Sequence, residues 1–224
     1  MACADLCIGR KHHMTMTMTG GSMLWVSWLA FCGGCALAAN GFAMLVVLNT
    51  MLGAAAGTVS WMLVEWLHRG RPSMLGAVSG AIAGLVAITP ACGFVGPMGT
   101  IAIGLIVSPI CVWAVDKLKP MIGLDDSFDV FGVHGVGGIV GGVLTTVFAI
   151  PALGGLGFAE GRDFASQMPV QLLAIGFSIV YSAITSYIAF KAAGLICGGL
   201  RVSEDDELTG LDMSSHGEPG YKLS

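Results

Sequence analysis

Six apolar runs, each near the length that carries a helix across a lipid hydrocarbon core, leave this chain few folds to choose from. They cover residues 20–38, 41–67, 73–90, 97–115, 129–150 and 168–194 and are called spans A to F. A helical crossing needs about 20 predominantly apolar residues, and in lipid a segment must satisfy its own backbone N–H and C=O groups, which a helix does. Composition agrees: 55% of the residues are hydrophobic and 11% charged, against about 25% charged in soluble domains. The expected fold class is all-α, a polytopic membrane helix bundle of about six transmembrane helices.

The breakers between the runs are short and polar or glycine-rich: Ala39-Asn40, residues 69–72, 91–96, 117–126 and 151–167. They divide the chain into an N-terminal segment 1–19, a bundle 20–200 and an acidic tail 201–224. Residues 1–19 have no uninterrupted apolar core followed by a cleavage site, so no cleavable signal is expected there.

Charge sets the orientation. Up to Leu200 there are eight Lys/Arg and eight Asp/Glu, whereas the tail holds two and six, so the whole net charge of -4 resides in it. Such a balance offers no basic field for nucleic acid. The positive-inside bias places Lys and Arg in cytoplasmic loops. With six spans, Arg10 and Lys11, Arg69 and Arg71, Lys117 and Lys119, and Arg201 and Lys222 share one side, leaving only Arg162 on the other, while Lys191 lies near the inner end of F. Both termini are therefore expected in the cytoplasm, with the chain multi-pass in a cell membrane.

Small residues let membrane helices approach closely. Span C carries Gly76, Gly80 and Gly84 on one face, and span E carries Gly132, Gly135, Gly137, Gly138, Gly141 and Gly142. Both spans are expected to pack inside the bundle.

Seven cysteines (Cys3, Cys7, Cys32, Cys35, Cys92, Cys111, Cys197) lie mostly in or beside apolar runs, where a thiol commonly serves as a small hydrophobe. Cys32 and Cys35 form a C-x-x-C, a spacing linked to thiol chemistry in soluble redox proteins; two cysteines are too few for a closed zinc site. Neither a metal nor a cofactor is expected.

An ionisable group within a span is costly and is a functional candidate by default. Glu65, Asp129 and Lys191 lie near span ends, but His134 is inside span E. On a regular helix it stands about 7.5 Å beyond Asp129 and roughly 140° around the axis, so Asp129 is not its partner. Asp126, Ser127 and Asp129 read instead as start signals for span E. A neutral imidazole has one donor and one acceptor and passes protons by switching tautomer. The alternative is a packing histidine bonded to a carbonyl of a neighbouring helix. Haem ligation is disfavoured because no other span holds a histidine to serve as second axial ligand.

Span A offers a second constellation: Trp28, Phe31 and Cys35 at i, i+3 and i+7 fall on one helical face. The rings face either lipid or core, or they line a path where aromatic faces attract a small cation. Cys35 is then outermost, Phe31 deeper and Trp28 deeper still.

Four segments carry a resemblance: 129–136 (DVFGVHGV), 79–93 (SGAIAGLVAITPACG), 153–161 (LGGLGFAEG) and 210–218 (GLDMSSHGE). Taken in chain order they are similar to the second half of ammonium transporters of the Amt/Mep/Rh family, over residues 12 to 221. The resemblance implies spans six to eleven of an eleven-span protein, that is, the second inverted repeat plus the last helix. Such proteins are homotrimers with a pore in each subunit, lying between inverted repeats.

By the same resemblance His134 matches the second of the paired pore histidines, Phe31 the inner phenylalanine of the stacked gate, and Trp28 the tryptophan of that run. Cys35 falls where many members have a vestibule serine, and a thiol is the weaker acceptor; Cys32 departs from a common Asn. The implied substrate is ammonium, deprotonated at an aromatic vestibule so that ammonia crosses an apolar pore. The implied partners are lipids, further copies or a first-half polypeptide, and a regulator of the PII class at the tail, where residues 204–207 read equally as a solvated acidic face.

Two functions follow as expectations: an ammonium transporter half that needs the first repeat to conduct, or a non-conducting subunit that joins full-length relatives. Catalysis is not expected, since the sequence offers no nucleophile with a base at usable spacing, no phosphate-binding glycine loop and no carboxylate pair at membrane depth.

Overall fold

A computed structural model describes residues 14–218. Residues 1–13, with Cys3, Cys7, Arg10 and Lys11, and residues 219–224, with Lys222, lie outside them. The described residues contain no strand, and the long helices are α1 (Met14–Gly34), α2 (Gly41–Arg69), α3 (Met74–Ile88), α4 (Pro97–Met121), α5 (Phe131–Phe148) and α6 (Phe164–Cys197), one for each span.

Four of them, α2, α4, α5 and α6, are long and apolar enough to cross a membrane. The six-span expectation is therefore met in full by element order but only in part by length and composition. With 15 residues, α3 is about 22 Å long, short of a hydrocarbon core of about 30 Å. It stops because Pro90 cannot continue it, and the chain runs on in tight turns, Cys92 N–H donating to Ile88 at 2.7 Å and Val95 N–H to Ala91 at 3.1 Å. The first half of α1 is diluted by Thr15, Thr17, Thr19 and Ser22, two of which fold back onto it: Thr19 donates to Thr15 O at 2.9 Å and Ser22 to Met18 O at 2.8 Å.

Helix starts follow side-chain chemistry. Asn40 accepts the Ala43 N–H at 3.0 Å to open α2, Ser73 accepts the Gly76 N–H at 2.9 Å to open α3, and Pro97 occupies the first turn of α4, all groups suited to orphaned N-terminal amides. Gly70, at φ 74°, closes α2 in the left-handed conformation, where a Cβ is penalised.

The small-residue stripe of α3 faces α2. A Cβ added at Gly80 would lie 2.5 Å from Trp61 Cβ, one at Gly84 would strike the Gly53 carbonyl, and one at Gly76 would strike the Glu65 carboxylate. Conversely, a Cβ at Gly57 would meet Gly80 O at 2.5 Å. Glu65, only 6% exposed, is held by the start of α3, accepting Ser73 N–H at 2.7 Å and Ser73 Oγ–H at 3.1 Å, with Arg69 at 3.6 Å. In α5 the glycines serve several neighbours: Gly141 lies against the Ala87 backbone, Gly132 against Val115, and Gly137 against Cys111 and Val86.

Polar bonds lock α2 to α4. Pro109 lies inside α4, so the carbonyl four residues earlier lacks its usual donor. That carbonyl, Leu105 O, accepts Ser60 Oγ–H at 2.8 Å, and Ser108 Oγ–H returns a bond to Gly57 O at 2.8 Å.

The loop pairs also bond across the two ends of this bundle. At one end Arg69 reaches both oxygens of Asp116 at 3.0 and 3.1 Å; at the other, Leu156 N–H donates to Phe94 O at 2.9 Å. The B–C and D–E connections thus share an end, and the C–D and E–F connections share the other, as helices that each cross once require.

Two compact units divide within α6, after Ile175. In the second, Ser203 opens the short helix α7 (Glu204–Thr209), whose first turn carries Glu204, Asp205, Asp206 and Glu207. Acidic side chains there complement the helix dipole, and Arg201 Nη2 and Nε bond the Glu207 carboxylate at 2.9 and 2.5 Å.

Candidate functional site

The aromatic pair is built on α1. Trp28 is half-buried and its indole N–H donates to Thr89 Oγ1 at 2.8 Å. Phe31 meets it edge-on, with ring centroids 6.5 Å apart and planes at 78°, and is 61% exposed. Cys35 does not extend this helical face as expected. Helix α1 ends at Gly34, and Cys35 lies in the following turn with its N–H toward Phe31 O and Cys32 O at 3.3 and 3.2 Å.

Nor do the two cysteines of the C-x-x-C form a unit. Cys35 is exposed, whereas Cys32 is buried in the apolar cluster that also holds Cys92, with Trp28 packed against that cluster.

His134 lies in a π-helical turn, Phe131–Val136, at the start of α5. This replaces the regular helix assumed in the 140° projection; π turns in helices are frequent at functional sites. The turn is set by Asp126, whose two carboxylate oxygens accept Val130 N–H at 2.9 Å and Phe131 N–H at 2.7 Å. Asp129, at φ 58°, pairs with Lys119. Both aspartates thus act at the start of the helix, as the sequence suggested, and neither bonds the imidazole.

Gly132, Val133 and Gly137 are buried, while His134 is exposed and its ring makes no hydrogen bond among the described residues. The carbonyl-bonded packing histidine is therefore not what the structure contains.

No hydrogen bond or ring contact among the described residues joins His134 to the aromatic pair. What the two share is α3: Trp28 is bonded to Thr89, and the α5 glycines that follow His134 rest on Val86 and Ala87. The end of α3 thus positions both.

Sequence reasoning passed over Thr89 and Asn49. A half-buried indole seeks an acceptor, and the Thr-Pro ending span C was the available signal. Asn49, fully buried in the middle of α2, donates to Cys92 O and Val95 O at 2.9 Å each and clamps the turn after α3. An amide inside an apolar run was its signal.

The sequence pattern of the Ammonium Transporter Family matches residues 7–221. The chain belongs to this family. It is 44% identical over 215 residues to an ammonium transporter of Bacillus subtilis (strain 168), which covers 95% of this chain and 53% of that protein. It is also 44% identical over 213 residues to an ammonium transporter of Aquifex aeolicus (strain VF5), covering 95% and 49%. The chain thus spans about half the length of the curated relatives it matches.

Solved structures agree on the fold. A protein described as "Sensor Amt Protein" superposes with a TM-score of 0.82 at 29% identity, covering 91% of this chain and 49% of that one. Candida albicans Mep2 gives 0.76 at 34% identity, covering 87% and 44%. Family membership and the apolar helices make this a multi-pass membrane chain.

Proposed function

We propose that this chain provides half of the wall of an ammonium/ammonia conduction path, matching the second repeat and last helix of the transporter, and that a further bundle completes it. The observation that carries the reading is His134: an imidazole without a hydrogen-bonding partner, exposed on a glycine-flanked π turn of a membrane helix. Leaving a polar ring unbonded against lipid is costly; facing a second bundle across a narrow path, the ring gains partners.

In this reading Phe31 and Trp28 form the inner part of the aromatic gate and Cys35 lies at its outer rim. Ammonium is recruited there, loses its proton where water thins, and passes His134 as ammonia. The imidazole offers one donor and one acceptor without taking a charge. The second reading drawn from the sequence, a non-conducting subunit, has no observation that favours it.

The same proposal covers topology and partners. Both termini lie in the cytoplasm, supported by the Arg69–Asp116 pair that joins two Lys/Arg-bearing loops. The chain assembles with a first-repeat polypeptide or with further copies as a homotrimer, with lipid on its remaining apolar faces. The acidic turn of α7, with Glu204 and Asp205 exposed, supports a contact surface for neighbouring subunits or for a PII-type regulator.

The test is methylammonium uptake into vesicles. This chain alone gives no saturable uptake, and co-assembly with a first-repeat polypeptide from a relative restores it. Saturable uptake by this chain alone, or none in the combined assembly, overturns the reading.

A further inference from the structure

His134 sits on a stretch of backbone that a helix rarely adopts unaided. A π turn closes its hydrogen bonds one residue later than an α turn and is uncommon, so Phe131–Val136 needs holding from outside. Helix α4 backs it on one side: a Cβ added at Gly132 would lie 2.6 Å from Val115 Cγ2 and 3.2 Å from Val115 N. The same helix, four residues on, supplies the hold at the start. Lys119 Nζ donates to Asp126 O at 3.0 Å and bonds Asp129 Oδ1. Asp129 N–H closes on the same Asp126 O at 3.3 Å, with Asp129 in the left-handed region at φ 58°, a conformation uncommon outside glycine. From this fixed turn the next amides are taken in sequence. The Asp126 carboxylate accepts Val130 and Phe131 N–H at 2.9 and 2.7 Å, and Asp129 O accepts Val133 N–H at 2.9 Å.

We propose that Lys119 is a positioning residue for His134. By tying the Asp126 carbonyl to the Asp129 carboxylate it fixes where the π turn begins, and so the direction of the imidazole. Successive helical residues are about 100° apart, so a start displaced by one residue would swing the ring well away. The pair is suited to the task because Lys119 and Asp129 are only 22% and 29% exposed, and a partly buried pair is screened little by salt. That this direction matters for conduction rests on the reading under Proposed function; that Lys119 sets it does not.

The first experiment uses the full chain in detergent, with the His134 ring resonance assigned by its loss in His134→Ala. Lys119→Met keeps the stem and removes the donors. Amide exchange at Val130 and Phe131 should quicken about tenfold, and the ring resonance should move. Lys119→Arg keeps the charge and the donors and should stay near the parent, as should Arg162→Met in the E–F loop. Asp129→Asn tolerates the positive φ but weakens the same tie. A mere change of local field would move the ring resonance in opposite directions in Lys119→Met and Asp129→Asn, whereas a changed ring direction moves it the same way in both. Opposite shifts, or none, overturn the proposal. If Lys119→Met does not fold, Asp129→Asn decides, and an unmoved ring there overturns it.

The second experiment is methylammonium uptake by the completed assembly. Lys119→Met should alter uptake in the same sense as His134→Ala and add nothing further in the His134→Ala background. Equal fold-losses in both backgrounds would mean that Lys119 acts apart from the imidazole, which overturns its positioning role. Uptake unaltered by His134→Ala, with the ring shifted as stated, would remove the transport reading and uphold the positioning, so the two fail separately.

Discussion

The Trp28 indole donates to the Thr89 hydroxyl at 2.8 Å, and that hydroxyl has already given its own proton to Leu85 O at 2.7 Å. The bond joins α1 to the end of α3 across 61 residues of sequence. It holds in place the ring against which Phe31 stands. Thr89→Val keeps the shape and deletes the acceptor, stranding the indole N–H at a cost of about 1–3 kcal/mol. Thr89→Ser keeps the oxygen and should stay near the parent. Thermal unfolding in detergent separates the two, and an equal loss in both variants would show that the methyl group, not the bond, matters.

Ser60 and Pro109 make a coupled pair through Leu105. Ser60→Ala removes the donor that replaces the proline's missing N–H in a part-buried bond, leaving the Leu105 carbonyl unpaired at about 1 kcal/mol. Pro109→Ala supplies a helical N–H to the same carbonyl. The double variant should therefore be more stable than Ser60→Ala alone, and a double-mutant cycle measures the coupling. Strict additivity would contradict the assignment.

The stripe of α3 predicts a positional contrast. At Gly84 an added Cβ strikes the backbone of Gly53, which cannot swing aside, whereas at Gly20 nothing lies within 4 Å. Gly84→Ala should destabilise by about 1–3 kcal/mol through overpacking. Gly20→Ala should be neutral or gain up to about 1 kcal/mol from helix propensity. Unfolding midpoints of both variants give the comparison.

His134→Ala should leave the stability of this chain within about 0.5 kcal/mol, because an exposed ring without a hydrogen bond loses little when removed. In the completed assembly the same change should alter the rate or selectivity of methylammonium uptake. A large loss of stability, with transport unchanged, would return His134 to a packing role.

Much of this was legible in the sequence because apolar length and glycine register are local signals. The six runs became the six long helices in order, and Gly76, Gly80 and Gly84 face α2 as a close-packing stripe should. What stayed hidden depends on backbone departures from regular helix. Projecting Cys35 onto the face of Trp28 assumed that α1 continues past Gly34, and projecting His134 from Asp129 assumed regular helix where the chain makes a π turn. The C-x-x-C spacing suggested a local thiol pair, but Cys35 is exposed and Cys32 is buried in the apolar cluster that also holds Cys92, a placement that sequence spacing does not reveal.

The start of α6 predicts a pH effect confined to one turn. Asp163 Oδ1 accepts both Ser166 Oγ–H at 2.7 Å and Ser166 N–H at 2.8 Å, an N-terminal cap. Those bonds, the side-chain one foremost, hold its carboxyl below the ordinary value of 3.8. Because the folded value is the lower one, the cap's contribution is fully present above the unfolded value and is lost as pH falls through the folded one. Amide protection at Ser166, corrected for intrinsic exchange, should therefore be constant at neutral and mildly acidic pH and fall only below 3.8. Asp163→Asn, which caps without titrating, should keep its protection through the same range. A fall that begins well above pH 3.8, or one that persists in Asp163→Asn, would assign the acid sensitivity to another group.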